Sequence, residues 1–379
     1  MIGFPSTPQS PLRRAMGQLD WVLIFVTLAL STFGVLMIFS SIQTNTALLE
    51  EALHWKQLTW ISAGVVSVAF ILLFDYHHFT RLAYIFYFLL VALLVLVLIS
   101  GKIVYGAKRW LILGPMRLQP SEFTRLAIIL VLARYFGSRE NTAPLEFRDL
   151  ILPFIFVAIP CTLVARQPDL GTSLMTVMVA ALMLIIVGVR TRVFLSIAAM
   201  GFTVAPVGWF FLRDYQKNRI LTVLNPEADP LGSGYQSLQS KIAVGSGGFW
   251  GKGLFQGTQS RLHFLPEKHT DFIFSVLSEE LGFIGATVLL ILFLIFIHRC
   301  VQTALNAGDK EGLLIAVGVA TSFFLYIFLN IGMTVGLIPI AGMPLSLVSY
   351  GGSSALASFL AIGLLLNVRL RRRNFVSLS

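Results

Sequence analysis

Residues 269–297 read HTDFIFSVLSEELGFIGATVLLILFLIFI. From Phe272 to Ile297 the run is apolar apart from a few small hydroxyls and the pair Glu279-Glu280. A helix of that length, at about 1.5 Å per residue, crosses the roughly 30 Å of hydrocarbon in a bilayer. Asp271 stands at the entry to this run, where a membrane surface should lie. An ionisable group at such a boundary is costly to keep, so it reads as a functional-site candidate.

The rest of the chain agrees with a membrane setting. Of its 379 residues, 56% are hydrophobic and only 12% charged, which excludes an ordinary water-soluble globular domain. Further apolar stretches at 20–41, 57–74, 82–100, 119–137, 151–166, 170–188, 193–212, 312–337 and 352–368 join 271–298. The expected fold is an all-α polytopic membrane protein of about ten transmembrane helices. Period-2 strand patterning is absent, which excludes a transmembrane β-barrel. The first span is too long for a signal-peptide core and lacks a small-residue cleavage site, so it should be retained. The expected organisation is one transmembrane domain over 1–379, with tails at 1–19 and 369–379 and a large extracytoplasmic loop at 213–270 between helices 7 and 8. Cys161 and Cys300 fall near opposite membrane faces, which argues against a disulfide. His77-His78 sits in a short loop and reads as an interfacial pair.

Positive charge sets the expected orientation. Arg13 and Arg14 precede the first span, and Arg369, Arg371, Arg372 and Arg373 follow the last. Arg81, Arg134, Arg139, Arg148, Arg190, Arg192, Arg299 and Lys310 lie in the alternate connections. Both termini are therefore expected in the cytoplasm. The net charge of +10 is largely a topology signal, and nothing in the chain points to nucleic acid. One outside loop breaks the rule: 101–118 carries Lys102, Lys108, Arg109 and Arg117 with no acid. Cations held there suit an anionic headgroup such as a lipid phosphate or pyrophosphate. The large loop adds further cations, Arg219 and Lys268 among them, although long loops are translocated regardless of charge.

Several motifs add candidate residues. In QPSEFTR, residues 119–125, Pro120 opens a helix, and Glu122 and Arg125 are spaced to pair on one face, bracing the helix or shaping a site. In RQPDLGTS, 166–173, Asp169 either caps the next helix or meets substrate, and Arg166 beside it suits a phosphate. The glycine-rich stretch 245–253 lacks the preceding strand a nucleotide loop requires. It reads as a packed loop or a sugar-binding surface, with Gln236 and Gln239 just upstream as candidate sugar contacts. Asp271, Ser275 and Ser278 form a polar stripe on one helical face, while Glu279 and Glu280 read as structural or proton-handling. Residues 336–354, broken by proline and glycine at membrane depth, read as a bent segment facing the site, with Ser349 in it.

Taken together, GAKRW (106–110), QPSE (119–122), QPDLGTS (167–173), GSGGFWGKG (245–253), LPEKHTDFIF (265–274), SEELG (278–282) and the SYGGSS segment (349–354) resemble the SEDS family of shape, elongation, division and sporulation proteins. The resemblance runs from about Asp20 to Arg373. Arg125 replaces a lysine of the family pattern and Ser346 replaces a proline. The resemblance implies a peptidoglycan glycosyltransferase that polymerises lipid II and works with a class B penicillin-binding protein in the elongation machinery. It also implies that Asp271 matches the family's essential aspartate, Glu122 the glutamate of the fourth span, and Lys108 and Arg109 its basic loop. On that reading Asp271 is a general base acting on lipid II, the acceptor for a growing chain linked to undecaprenyl pyrophosphate. The pattern makes no cofactor certain. A divalent cation, Mg or Mn, could assist the leaving group, but no metal-ligand cluster is legible. The rivals are a lipid II flippase and the division-type member of the same family. A flippase needs a polar path through the midplane, whereas these charges gather at one surface.

Overall fold

The computed structural model describes residues 17, 19–42, 53–104, 107–114, 116–139, 144–230, 232–262 and 264–372. Arg13, Arg14, Gly106 and Arg373, with most of both tails, lie outside the described residues. The helices are α1 Trp21–Ile42, α2 Leu53–Leu73, α3 Tyr76–Arg81, α4 Ala83–Ser100, α5 Thr124–Gly137, α6 Ile151–Arg166, α7 Leu170–Val187 and α8 Thr191–Phe211. They continue with α9 Asp214–Leu224, α10 Ser233–Ser246, α11 Thr258–Arg261, α12 Ile273–Leu305, α13 Lys310–Thr334 and α14 Gly352–Arg371. Among the described residues, nine helices are long and apolar enough to cross a membrane. The chain is an all-α, multi-pass membrane protein. The remaining expected span, 119–137, is α5 with 14 residues, preceded by a 3-10 turn of 4 residues, Pro120–Phe123. At about 1.5 Å and about 2.0 Å per residue the two together rise about 29 Å, enough for the crossing.

Capping carboxylates fix where several helices begin. Asp20 accepts from the Leu23 amide at 3.1 Å, Asp169 from Thr172 at 3.3 Å and Asp309 from Gly312 at 2.7 Å. Each supplies an acceptor to an amide that has no partner within its helix. Helices α13 and α14 form the buried centre of the bundle, against α2, α5, α7 and α12. Cys161 and Cys300 are both free thiols and buried.

Two segments depart from expectation. Residues 102–118 contain a small antiparallel sheet, in the order β1 Lys102–Val104, β2 Ala107–Leu113, β3 Met116–Leu118. Lys108 pairs with Ile103, and Ile112 with Arg117. Three strands this short leave almost no alternating pattern to read, and the cluster of charges draws the eye to a loop. The second departure is in α12, which breaks at Gly282, where φ is 65°. The glycine-rich stretch docks into that break: the amides of Lys252 and Gly253 donate to the carbonyls of Glu279 and Glu280 at 3.0 and 2.9 Å. A Cβ on Gly282 would stand 2.2 Å from the Gly251 nitrogen. These glycines serve close backbone approach, which is the packed-loop reading.

Glu279 and Glu280 hold the same junction. The Glu279 carboxylate meets the Lys252 ammonium at 2.7 Å and accepts from the Thr258 and Gln259 amides at 2.7 and 3.0 Å. The Ser40 hydroxyl donates to Glu280.

Candidate functional site

The turn before α12 is organised around one carbonyl. Glu267 O accepts from the amides of Thr270, Asp271 and Phe272 at 3.3, 3.1 and 3.2 Å. Asp271 therefore lies in this turn, two residues ahead of the spanning helix rather than inside it. Three contacts from the chain's last third pin the turn. The Asn330 amide donates to Asp271 O at 3.0 Å, the Ser349 hydroxyl to Thr270 O, and the Tyr350 amide to His269 O at 2.9 Å. The backbone of Asp271 is fixed while its half-buried carboxyl faces Gly342, whose notional Cβ would lie 3.5 Å from Oδ2.

Burial is the main influence on this carboxyl and pushes it up to about 7, with the negative charge of Glu267 acting in the same direction. Arg219 and Arg109 oppose the shift, and Asp169 adds to it weakly. A carboxylate in that range exchanges protons near neutral pH, as a general base must.

Arg109 reaches the site from β2. Its guanidinium donates to Gln167 O at 3.1 Å and to Pro168 O, and it lies 4.0 Å from Asp169. These bonds clamp the sheet onto the α6–α7 turn. Lys108, one residue earlier, has no side-chain partner among the described residues. Asp169 is buried, caps α7 and accepts from Gln119 at 3.4 Å.

Glu122 and Arg125 do not form the expected ion pair. Arg125 turns inward to the hydroxyls of Ser358 at 3.1 Å and Ser322 at 3.5 Å, and stacks over the Tyr326 ring at 4.3 Å. Glu122 faces the hydroxyls of Ser354 and Tyr326. The same-face spacing is therefore outcompeted by hydroxyls that α13 and α14 bring to each side chain. Ser275 is fully buried, its hydroxyl 2.7 Å from that of Ser240, which in turn donates to Thr334 O. It ties α10 to α12 and does not line the site. Ser349 is likewise buried and structural, accepting from the Leu345 amide at 2.8 Å. Lys268 is buried, Gln236 and Gln239 are half-buried on α10, and Arg166 is exposed at the end of α6. None of the described contacts joins Gln236, Gln239 or Arg166 to Asp271.

Sequence reasoning did not single out Asn330, Glu267 or Gly342, and it named Arg219 only as one of the large loop's cations. Asn330, a side-chain amide within the membrane-length α13, was the one with a legible signal. Among the described residues no group of three or more His, Cys, Asp or Glu side chains is arranged to hold a metal ion.

A helical bundle with nine membrane-length helices among the described residues and a carboxyl beside basic residues at one rim defines a multi-pass membrane protein. The chain belongs to the cell cycle protein family of FtsW, RodA and SpoVE, which it matches over residues 20–374. The peptidoglycan glycosyltransferase MrdB of Escherichia coli K12 is 38% identical over 356 residues, 94% of each chain. The probable peptidoglycan glycosyltransferase FtsW of Trichlorobacter lovleyi is 38% identical over 367 residues, 95% of each chain. Among solved structures, a chain from work on the structural coordination of polymerization and crosslinking by a peptidoglycan synthase complex superposes with a TM-score of 0.79. It is 30% identical, over 94% of this chain and 98% of that one.

Proposed function

We propose that the chain is a peptidoglycan glycosyltransferase that polymerises lipid II at the outer face of the bacterial cytoplasmic membrane, with Asp271 as general base. The observation that carries this reading is the Asp271 carboxyl itself, in a turn pinned by three contacts and with its proton affinity raised to about 7. In the proposed step the sugar 4-hydroxyl of incoming lipid II gives its proton to Asp271. The oxygen attacks the anomeric carbon of the lipid-linked growing chain with inversion, and undecaprenyl pyrophosphate leaves with the electrons of the broken bond. Lys108 and Arg219 are the cations best placed to meet the pyrophosphate, because Arg109 is engaged with backbone carbonyls. The enzyme class is that of both named relatives.

The elongation role is the finer part of the proposal. It rests on the motif resemblance and the MrdB relative, and the FtsW relative is equally identical at 38%. Rescue of an elongation-depleted strain but not of a division-depleted one would support it. A class B penicillin-binding protein is the proposed partner, on the likeness to a chain from a synthase complex. Both termini are proposed to be cytoplasmic, since Arg134, Arg299 and Arg369 gather at the end of the bundle away from Asp271. Cysteine labelling from outside should then reach sites in 107–118 and 213–260 and miss 144–148.

The test is glycan synthesis from purified lipid II, with and without the partner. Asp271→Asn should fold and bind lipid II but polymerise at least about 10²-fold slower. A flippase predicts no polymer from the parent protein. A purely structural Asp271 predicts near-normal polymer from the variant.

A further inference from the structure

The Asn330 side chain is completely buried near the end of α13. Its Nδ2 donates to two carbonyls at once, Asp271 O at 3.0 Å and Met343 O at 2.7 Å. Its Oδ1 has no partner. The orientation of the amide follows from the chemistry, because the flipped form would set Oδ1 against two carbonyl oxygens. A buried acceptor without a partner carries a desolvation cost. A residue chosen only for stability would avoid it, so the orphaned oxygen directs attention to what the nitrogen does.

The two carbonyls come from segments distant in sequence that meet only at the site. One belongs to the residue bearing the carboxyl; the other follows Gly342, whose Cα is the wall that Oδ2 faces. Without a donor between them the carbonyls repel, and both the turn at 267–272 and the bend at 342–343 lose their common reference. Ser349 and Tyr350 anchor Thr270 and His269 from the same side, but Asn330 alone of the three bonds the backbone of Asp271 itself.

We infer that Asn330 is a positioning residue for the reaction, a two-carbonyl clamp that sets the Asp271 carboxyl against the Gly342 wall and so fixes its approach to the acceptor hydroxyl. It touches no substrate. Displacement of a reacting group by about 1 Å can cost about 10²-fold in rate, so loss of the clamp acts on the chemical step and leaves substrate binding intact. The inference rests on Asp271 as the base.

The test is a double-mutant cycle on purified full-length protein with lipid II, read at high enzyme so that slow variants register. Asn330→Leu should lower kcat at least about tenfold while KM for lipid II stays within about twofold. In the Asp271→Asn background the same change should lower kcat by less than about twofold, because there is no base left to misplace. If Asn330→Leu does not accumulate in membranes, Asn330→Ser, too short to reach both carbonyls, carries the same comparison. Equal fold-losses in the two backgrounds, or an unchanged kcat in the first, overturn the clamp. Near-normal activity of Asp271→Asn alone overturns instead the assignment of the base, so the two failures are told apart.

Discussion

The two ends of the bundle treat their charges in opposite ways. At the end away from Asp271, the buried Asp20 carboxylate is held by Arg299 and Arg369, each at 2.8 Å, and accepts from the Leu23 amide as well. Beside it His77 bridges Asp75 and Asp309 at 2.7 Å on either ring nitrogen. Burial alone would lower the affinity of His77 for its proton, but the two carboxylates outweigh it and hold the imidazole above its ordinary value. Arg134 and the Thr80 hydroxyl engage Glu311. Each of these acids has a cationic or hydroxyl partner. At the other end Asp271 has its backbone tied down and its carboxyl directed at a glycine, while the nearest cation from the sheet, Arg109, is occupied with carbonyls. The difference teaches that charge pairing in this chain serves the fold, at Asp20 as at Lys252–Glu279, and that Asp271, without an ion pair among the described residues, is left for the role proposed for it.

Breaking the paired end should have the largest effect on stability. Asp20→Ala leaves two arginines facing a desolvated gap and should cost about 3–5 kcal/mol, read as a loss of thermal stability in detergent. Asp271→Asn should leave the melting temperature within a degree or two, since asparagine supports the turn about as well. If both substitutions destabilised equally, the contrast between the ends would fail.

A smaller effect is expected at the break in α12. Gly282→Ala forces a side chain into a left-handed conformation against the Gly251 backbone, with strain of about 1–3 kcal/mol. The docked stretch 247–257 should then become sensitive to limited proteolysis, while the Asp20 end keeps its protection. The smallest effect belongs to Lys108. Its replacement by alanine should weaken binding of a pyrophosphate lipid about fivefold at low salt, on the basis of about 1 kcal/mol per lysine near a charged surface. The loss should shrink as ionic strength rises. An equal loss for an uncharged analogue would remove Lys108 from the leaving-group site.

The helical bundle was legible because hydrocarbon solvent writes itself into composition: α1, α4, α7 and α12 are apolar over lengths that only a spanning helix uses. Asp271 was legible for the same reason, as a charge where such a run begins. What the sequence concealed depends on contacts between distant segments. The inward turn of Arg125 depends on hydroxyls from α13 and α14, and the helix break at Gly282 exists because residues 247–253 fill it. Spacing of three on a helix suggested that Glu122 and Arg125 pair, but hydroxyls on α13 and α14 take up both side chains. Ser275 matched a polar stripe, yet its partner Ser240 lies on another helix and turns the stripe into a seam.

The most direct test of the central claim is the pH dependence of a single turnover of lipid II into glycan. Asp271 must be deprotonated to accept the acceptor's proton, so the rate should climb with pH through a limb near 7 and level off above it. In Asp271→Asn that limb should vanish, leaving a slow and nearly flat profile. A limb near 7 that persists unchanged in the asparagine variant would contradict the account, because some other group would then be handling the proton.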